Sequence, residues 1–225
     1  MKNFPPAACI IILCIAVCTL RCSKHDSLPV TDNTGDGNTT GNKPPVVHDS
    51  IIYTDINPDS MILSGAEQTY HLDLDGDGVT DFVLTGSSHA LRGCNGHSTT
   101  NQVGGFSFGA GIQAATGSNN AIENGGGAID ALDSLSLIDS AVSWTSDTIR
   151  HTLYAVAKGN NVGCYPSSGY WVAVSNRYLG LKLVKDGKTY YGWARLTTMY
   201  GSTVTLFDMA YNSIPGHGIL AGQKK

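Results

Sequence analysis

The chain has 225 residues, of which 14% are charged, and its formal net charge is −4. A slightly acidic chain lacks the positive surface that nucleic acid requires, so we expect no nucleic-acid partner. Glycine is abundant, at 27 residues, and nearly all acidic residues are aspartates, which suits turns and strands better than helices. This composition predicts an all-β protein.

The N-terminal segment, residues 1–22, has the pattern of an export signal. Lys2 precedes an apolar run, residues 7–20, that is too short to span a bilayer, and Cys22 follows it at the start of a polar segment. This pattern resembles the signal peptide of bacterial lipoproteins, and the Cys-Ser-Lys start resembles surface lipoproteins of the Bacteroidota. The resemblance implies lipidation at Cys22 and a protein anchored in the bacterial outer membrane, facing the periplasm or the cell surface.

Cys18 is the alternative lipidation site. Arg21 stands directly before Cys22, where such signals usually have a small residue, whereas Ala16 and Val17 fit the usual pattern before Cys18. The charged segment that begins after Cys22 favours Cys22. With either cysteine, the membrane is an expected partner through the lipid anchor.

Residues 23–48 predict a flexible linker, because they contain almost no large apolar side chains. Residues 49–225 have the usual size of one domain. Their short β-branched and aromatic segments are separated by Gly, Asn and Asp, which predicts an antiparallel β-sandwich or jelly roll with at most one short helix. The predicted strands are residues 50–54, 68–74, 81–85, 151–157, 170–174, 178–184, 189–196 and 203–207.

A candidate calcium loop lies between two predicted strands, at residues 73–81. Its expected ligands are alternate aspartates and one backbone carbonyl: Asp73, Asp75, Asp77, Val79 and Asp81. Gly76 permits the sharp turn, and the oxygen ligands suit a hard cation, so we expect a structural Ca2+. The pattern resembles the calcium loops of integrin-type repeats, dockerins and thrombospondin type 3 repeats. Leu84 stands where an EF-hand has its bidentate Glu, which argues against an EF-hand.

Cys94 and Cys164 are the two cysteines of residues 49–225. In an oxidising envelope such residues usually pair, and closing a loop of about 70 residues would stabilise the fold by roughly 4 kcal/mol. We therefore expect a disulfide. A transition-metal site is the alternative, because His89 and His97 lie near Cys94, although no fourth ligand is evident.

A possible hydrolase motif lies at residues 105–109, Gly-Phe-Ser-Phe-Gly. It matches the nucleophile-elbow pattern around Ser107, and Asp130 and His151 follow in hydrolase order. An elbow needs a buried parallel strand before it and a helix after it, whereas glycine-rich segments flank Ser107. We therefore expect an ordinary alternating strand here.

The next segment, residues 128–141, could form one helix. Ile129, Leu132 and Leu135 recur at a spacing of three, although the intervening Asp and Ser residues are weak helix formers. A paired-carboxylate glycosidase would have to use aspartates, since glutamate is nearly absent. The aspartates of this segment are expected to be solvated instead: Asp130, Asp133 and Asp139.

The clearest predicted hairpin is near the C-terminus. Residues 178–184 alternate apolar and polar, Asp186-Gly187 supplies the dipeptide of a type I′ turn, and residues 189–196 return.

Several motifs between residues 128 and 222 resemble the ending of a group of secreted bacterial proteins. They read YGW-x-RL (191–196), AYN (210–212), PG (215–216) and I-x-AG (219–222). No activity is associated with that group, so the resemblance implies a β domain at the cell surface and no catalytic role. Tyr191, Trp193 and Arg195 share one strand face, which is either half-buried with a snorkelling Arg or a ligand-stacking face.

These observations favour a binding or surface structural module that contains calcium. The expected ligand is a glycan or a protein, and exposed aromatic residues at Tyr165, Tyr170 and Trp171 would favour carbohydrate binding. The alternative class is a secreted hydrolase that acts on glycans, esters or peptides, which would need a cleft where Ser107, an Asp and a His converge.

Overall fold

A computed structural model describes residues 50–92, 103–146, 148–159, 167–201 and 203–225 of the chain. The described residues form strands and turns and contain no helix, so the all-β prediction is confirmed. None of their segments is a helix long and apolar enough to cross a membrane. The strands are β1 (Ile51–Leu63), β2 (Thr69–Leu72), β3 (Phe82–Arg92), β4 (Val103–Ala114), β5 (Ala121–Glu123), β6 (Leu137–Ile138), β7 (Trp144–Thr145), β8 (His151–Gly159), β9 (Arg177–Lys185), β10 (Lys188–Thr198), β11 (Thr203–Asn212) and β12 (Ile219–Leu220).

The strands form two larger sheets and a ribbon. One sheet has the order β1-β11-β10-β9-β5-β7, the other has the order β2-β3-β4-β8, and β12 pairs with β6 in the ribbon. The pairings between these strands are antiparallel. Each larger sheet is a set of alternating strands that must bury one apolar face, and packing the two faces together satisfies both.

The main core contains side chains from both larger sheets. The four-stranded sheet contributes Leu72, Phe82, Leu84, Ile112 and Leu153, and the six-stranded sheet contributes Ile122, Leu179, Leu181, Leu196 and Leu206. Burying a side chain of this size contributes about 2 kcal/mol relative to leaving it in water. The shared core identifies the fold as a β-sandwich.

A second, smaller core lies on the opposite face of the six-stranded sheet. There Tyr191 and Trp193 of β10 pack with Ile138 of β6 and Ile219 of β12. Tyr191 is 4% exposed and Trp193 is fully buried, so neither of these two rings offers a stacking surface to a ligand. The ligand-stacking alternative is therefore wrong, and the burial is deeper than the half-buried alternative predicted because the ribbon covers the face.

Local turn chemistry agrees with the sequence at the β9–β10 hairpin. Asp186 and Gly187 have φ values of 51° and 71°, and a type I′ turn requires a positive φ at both positions. The alternating strand expected around Ser107 is also present as part of β4.

The predicted helix at residues 128–141 is wrong. Ile129 bridges Asn124, Leu132 bridges Tyr178, and Leu137 and Ile138 form β6, so the segment is extended along the six-stranded sheet. Leu135 is 70% exposed with a φ of 68°. The apolar residues that recur every three positions therefore do not form one buried helix face. Pairing with neighbouring backbone satisfies the peptide groups better than a helix of weak formers would.

The predicted strand at residues 170–174 is also wrong, because these residues form turns. Gly169 and Ala173 have φ values of 91° and 52°, which interrupt an extended backbone. Exposure of Trp171 would have favoured carbohydrate binding, but the residue is fully buried in the main core, and its indole Nε1 donates a hydrogen bond to the carbonyl of Asp130. A large apolar ring gains more from this burial than from exposure at the surface.

Candidate metal centre

The aspartate-rich loop of residues 73–81, called the metal loop below, connects β2 to β3 and is fixed at both ends. The backbone N–H of Asp81 donates to the carbonyl of Leu72 at 2.8 Å, which closes the base of the loop. Leu74 is 2% exposed and belongs to the main core, so its side chain fixes the loop from within. The loop is therefore held by packing as well as by its own polar groups.

Three of the predicted ligands come together in the structure. Asp73, Asp75 and Asp81 each offer a carboxylate oxygen, and these oxygens lie within 4.8 Å of one another. Oxygen-only donors at this separation suit a hard divalent cation such as Ca2+. The three residues occupy positions 1, 3 and 9 of the predicted pattern.

Backbone amides orient the Asp73 carboxylate. Its Oδ1 accepts from the N–H groups of Gly76 at 2.8 Å and Asp77 at 3.2 Å, and its Oδ2 accepts from Gly78 at 2.7 Å. Gly76 has a φ of 75°, a left-handed conformation that glycine adopts without a steric penalty. The glycine predicted at position 6 thus curls the loop around Asp73.

Asp81 is the buried member of the group, with 7% of its surface exposed. Its Oδ2 accepts from the N–H of Leu74 at 2.8 Å, and its Oδ1 accepts from the Nδ2 of Asn120 at 3.3 Å. Burial, together with the negative charges of Asp75 and Asp73, raises the pKa of Asp81 to about 6 against the lowering effect of these hydrogen bonds. A bound divalent cation would supply the positive charge that this carboxylate lacks.

Asp77 and Val79 are not part of the three-carboxylate group. The Asp77 carboxylate lies 2.7 Å from the ammonium of Lys185, which also lies 2.5 Å from Asp75. The hydrogen bond from Lys185 lowers the pKa of Asp77. Val79 donates its N–H to Asp77 at 2.8 Å, and its side chain is 63% exposed. Asp77, position 5 of the predicted pattern, is therefore paired with a lysine of the protein itself.

Sequence reasoning missed two residues of this centre, Lys185 and Asn120. Asn120 is 1% exposed, and besides Asp81 it contacts β9 by accepting the N–H of Val184 at 2.8 Å. Lys185 is the last residue of β9, beside the Asp186-Gly187 turn. Both lie far from the loop in sequence, and the register of β9 in the six-stranded sheet brings them to it. No local motif marks either residue.

The hydrolase constellation is not assembled. Ser107 of β4 pairs with Ala157 of β8, whereas His151 of β8 pairs with Ile112 of β4. His151 therefore lies opposite a position five residues along β4 from Ser107. At about 3.4 Å per residue, their backbones are roughly 17 Å apart. The imidazole Nε2 of His151 lies 3.3 Å from the hydroxyl of Thr145 instead.

The expectation for the three aspartates at residues 130–139 holds in part. Asp133 is well exposed and pairs with Arg177. Burial raises the pKa of Asp130, which is therefore not fully solvated.

The remaining predicted sites lie outside the described residues. These are the lipidation residue Cys22 with its alternative Cys18, the disulfide residues Cys94 and Cys164, and Tyr165 and His97. His89 lies in β3, where its backbone is described and its side chain is not.

Comparison with known proteins adds no family to this picture. No protein-family model, no curated protein and no solved structure matches the chain.

Proposed function

We propose that this chain is a lipid-anchored β-sandwich protein of the bacterial envelope, stabilised by one Ca2+, that acts as a binding or structural module at the surface. The observation that carries the proposal is the convergence of Asp73, Asp75 and Asp81. Three carboxylates held this close repel one another, and a divalent cation removes that repulsion.

Ca2+ fits these ligands better than a transition metal does. The group contains carboxylate oxygens and no imidazole or thiolate, which zinc and copper prefer. Ca2+ also accepts irregular sets of six to eight oxygens, so backbone carbonyls and water can complete a shell that begins with three carboxylates.

A structural role fits the site better than a catalytic one. Asp81 is buried at the base of the loop, and Leu74 anchors the adjacent backbone in the core. An ion here would tie β2 and β3 together, and protein oxygens would fill most of its coordination positions. Little room would remain for a substrate on the metal.

The test is thermal unfolding of the full-length chain in mild detergent, with Ca2+ and with a chelator. Free Ca2+ at 100 times its Kd should stabilise the folded state by about 2.7 kcal/mol. Asp75→Asn should remove most of this increment. Asp59→Asn is the matched control, because Asp59 is an exposed aspartate of β1 outside the loop, and it should leave the increment unchanged. Identical melting with and without chelator would contradict the calcium proposal.

The anchor is tested separately by incorporation of radiolabelled palmitate into the chain in a bacterial host. The label should be lost in Cys22→Ala and kept in Cys18→Ala. The reverse pattern would move the mature start to Cys18 and keep the anchor. Label that survives both substitutions would contradict lipidation at either residue.

A further inference from the structure

An open polar cleft lies beside the turn segment that follows β8. Its volume is about 360 Å³, and its walls come from two segments, residues 130–133 and residues 170–177. The lining side chains that concern us are Asp130, Asp133, Tyr170 and Arg177. This size lies within the range of small-ligand sites in proteins. The cleft is separate from the metal loop, with which it shares no lining residue.

The segment that carries Tyr170 is firmly attached to the fold. Trp171 is fully buried, and its carbonyl accepts a 2.5 Å hydrogen bond from the hydroxyl of Thr198 in β10. The same hydroxyl accepts from the N–H of Val174 at 3.1 Å, and Thr198 returns its own N–H to the carbonyl of Val174 at 2.8 Å. The segment that carries Tyr170 is therefore preorganised although it is formed by turns.

Two residues of this segment hold unfavourable backbone conformations. Ala173 and Asn176 have φ values of 52° and 50°. The left-handed region costs a residue with a Cβ about 1 kcal/mol. Asn176 is held there by donating its N–H to the hydroxyl of Thr197 at 3.0 Å. Strain of this kind gathers where a chain must present particular side chains, and here those side chains line the cleft.

Tyr170 presents its ring to solvent at the cleft. The residue is 57% exposed, although its neighbour Trp171 is fully buried. An aromatic face left in water beside a concave polar surface can cover the apolar C–H groups of a bound ligand. Tyr170 is the one aromatic residue among the described residues that line the cleft.

The polar groups of the cleft indicate which ligand would accompany that ring. Arg177 pairs with Asp133, so these two charges cancel, and each side chain keeps further donors or acceptors at the lining of the cleft. Asp130 adds a further acceptor, partly desolvated. An anionic ligand would meet two carboxylates, and a purely apolar ligand would leave the three charged groups without water. A neutral ligand with many hydroxyl groups and one apolar face meets neither penalty.

We propose that this cleft binds a neutral saccharide, with the Tyr170 ring stacked on a sugar face and Arg177, Asp133 and Asp130 hydrogen-bonded to its hydroxyl groups. The inference rests on the proposed function in one respect, namely that the protein acts by binding. Asp133 is exposed and paired with a guanidinium, which is a poor setting for a general acid. We therefore assign Asp133 to binding the saccharide and not to protonating a glycosidic oxygen.

The experiment measures retention of the full-length chain, in detergent with Ca2+, on an array of immobilised neutral oligosaccharides, with sulfated oligosaccharides and peptides alongside. We expect binding to neutral oligosaccharides and none to the sulfated ones. Tyr170→Ala should weaken binding at least about tenfold, Tyr170→Phe should retain it, and Arg177→Met should weaken it. Tyr200→Ala is the matched control, because Tyr200 is 51% exposed and does not line the cleft.

The outcomes separate this inference from the proposed function. No retention on any neutral oligosaccharide, equal retention of Tyr170→Ala and the unsubstituted chain, or retention on peptides alone overturns the saccharide site. In each of these cases the effect of Ca2+ on thermal unfolding remains an independent test of the proposed function. Release of new reducing ends from a bound oligosaccharide would overturn the proposal that the protein acts by binding.

Discussion

Two buried aspartates of this protein, Asp208 in β11 and Asp81 in the metal loop, differ in how their negative charge is balanced. Asp208 is fully buried, and Arg195 contacts both of its oxygens, at 2.7 and 3.0 Å. Lys224 and the hydroxyl of Tyr53 each donate to the same carboxylate at 3.0 Å. Asp81, by contrast, accepts from an amide N–H and an Asn side chain and faces two further carboxylates.

The difference appears in the pKa of each group. Burial would raise the pKa of Asp208, but the hydrogen bonds from Arg195, Lys224 and Tyr53 outweigh it and lower the pKa. Burial and the charges of Asp75 and Asp73 raise the pKa of Asp81 to about 6, and among the described residues no cationic side chain lowers it. The fold neutralises one site with its own cations and leaves a negative charge at the other, which is what a binding site for an external cation requires.

The largest loss of stability should come from removing Asp208, the aspartate whose charge the protein's own cations balance. Asp208→Ala leaves Arg195 partly buried without its partner, and we expect a loss of about 3 kcal/mol in the free energy of unfolding. Urea denaturation of the full-length chain measures this loss. Asp59→Ala removes an exposed aspartate of β1 and should change stability little. A loss equal to that of the control would mean that the Arg195 and Lys224 contacts contribute nothing net.

The next effect distinguishes the two sites by their response to Ca2+. We expect Asp81→Asn to abolish the stabilisation of about 2.7 kcal/mol that Ca2+ provides at 100 times its Kd. Asp208→Asn should lower stability and keep this increment in full, because Asp208 lies outside the cluster. Chelator titrations monitored by thermal unfolding measure both increments. A calcium increment that survives Asp81→Asn would exclude this carboxylate as a ligand.

The sequence predicts the parts of the metal centre that are local. Alternating aspartates and a glycine at position 6 are encoded within residues 73–81, and the structure brings Asp73, Asp75 and Asp81 together. The Asp186-Gly187 turn is equally local, since one dipeptide determines the signs of two φ angles. Such features follow from residues that are neighbours in the chain.

The features that the sequence did not predict depend on long-range pairing. Lys185 and Asn120 reach the loop only because β9 occupies its place in the six-stranded sheet. The ribbon that buries Trp193 is made of two-residue strands, β6 and β12, which are too short to give a periodic signal. The burial of Trp171 likewise depends on packing in the main core of the sandwich and not on its neighbours in the sequence.

Glu123 in β5 is a third buried carboxylate, and it has even less compensation than Asp81. It is 6% exposed, and among the described residues no group hydrogen-bonds its Oε2. Burial first, and then the negative charges of Asp130 and Asp139, raise its pKa to about 7. The folded state therefore binds a proton more tightly than the unfolded chain, whose glutamate pKa is about 4.3. Stability should fall as the pH rises between these two values and stay low above the higher one.

Glu123→Gln tests this pH dependence, because it removes the charge and keeps the shape. The variant should be more stable than the unsubstituted chain by about 3 kcal/mol at pH 8, and the two should converge near pH 4.5. Urea denaturation at pH 4.5, 6 and 8 measures the difference. Glu67→Gln is the control, since Glu67 is the other glutamate of the chain and is exposed. A constant difference across this pH range would contradict the assignment to Glu123.

The smallest effect concerns Lys185, the cation that the fold already places on the metal loop. Its ammonium contacts Asp75 and Asp77, so it competes with Ca2+ for Asp75 and holds Asp77 outside the three-carboxylate group. Lys185→Met should therefore tighten Ca2+ binding by roughly threefold, a modest change because the lysine side chain is 41% exposed and its charge is screened by water. Calorimetric titration of the full-length chain with Ca2+ measures the Kd.

Lys188 provides the matched control for this competition. It pairs with Lys185 across the β9–β10 hairpin and is exposed, so Lys188→Met removes the same charge nearby without touching the loop. If general electrostatics set the affinity, both variants should weaken the repulsion of Ca2+ equally. If Lys185 competes directly for Asp75 and Asp77, only Lys185→Met should tighten binding, and the gain should persist at high salt, where the long-range effect of either lysine is screened. Weaker binding in Lys185→Met would instead show that Lys185 orients the aspartates for the ion.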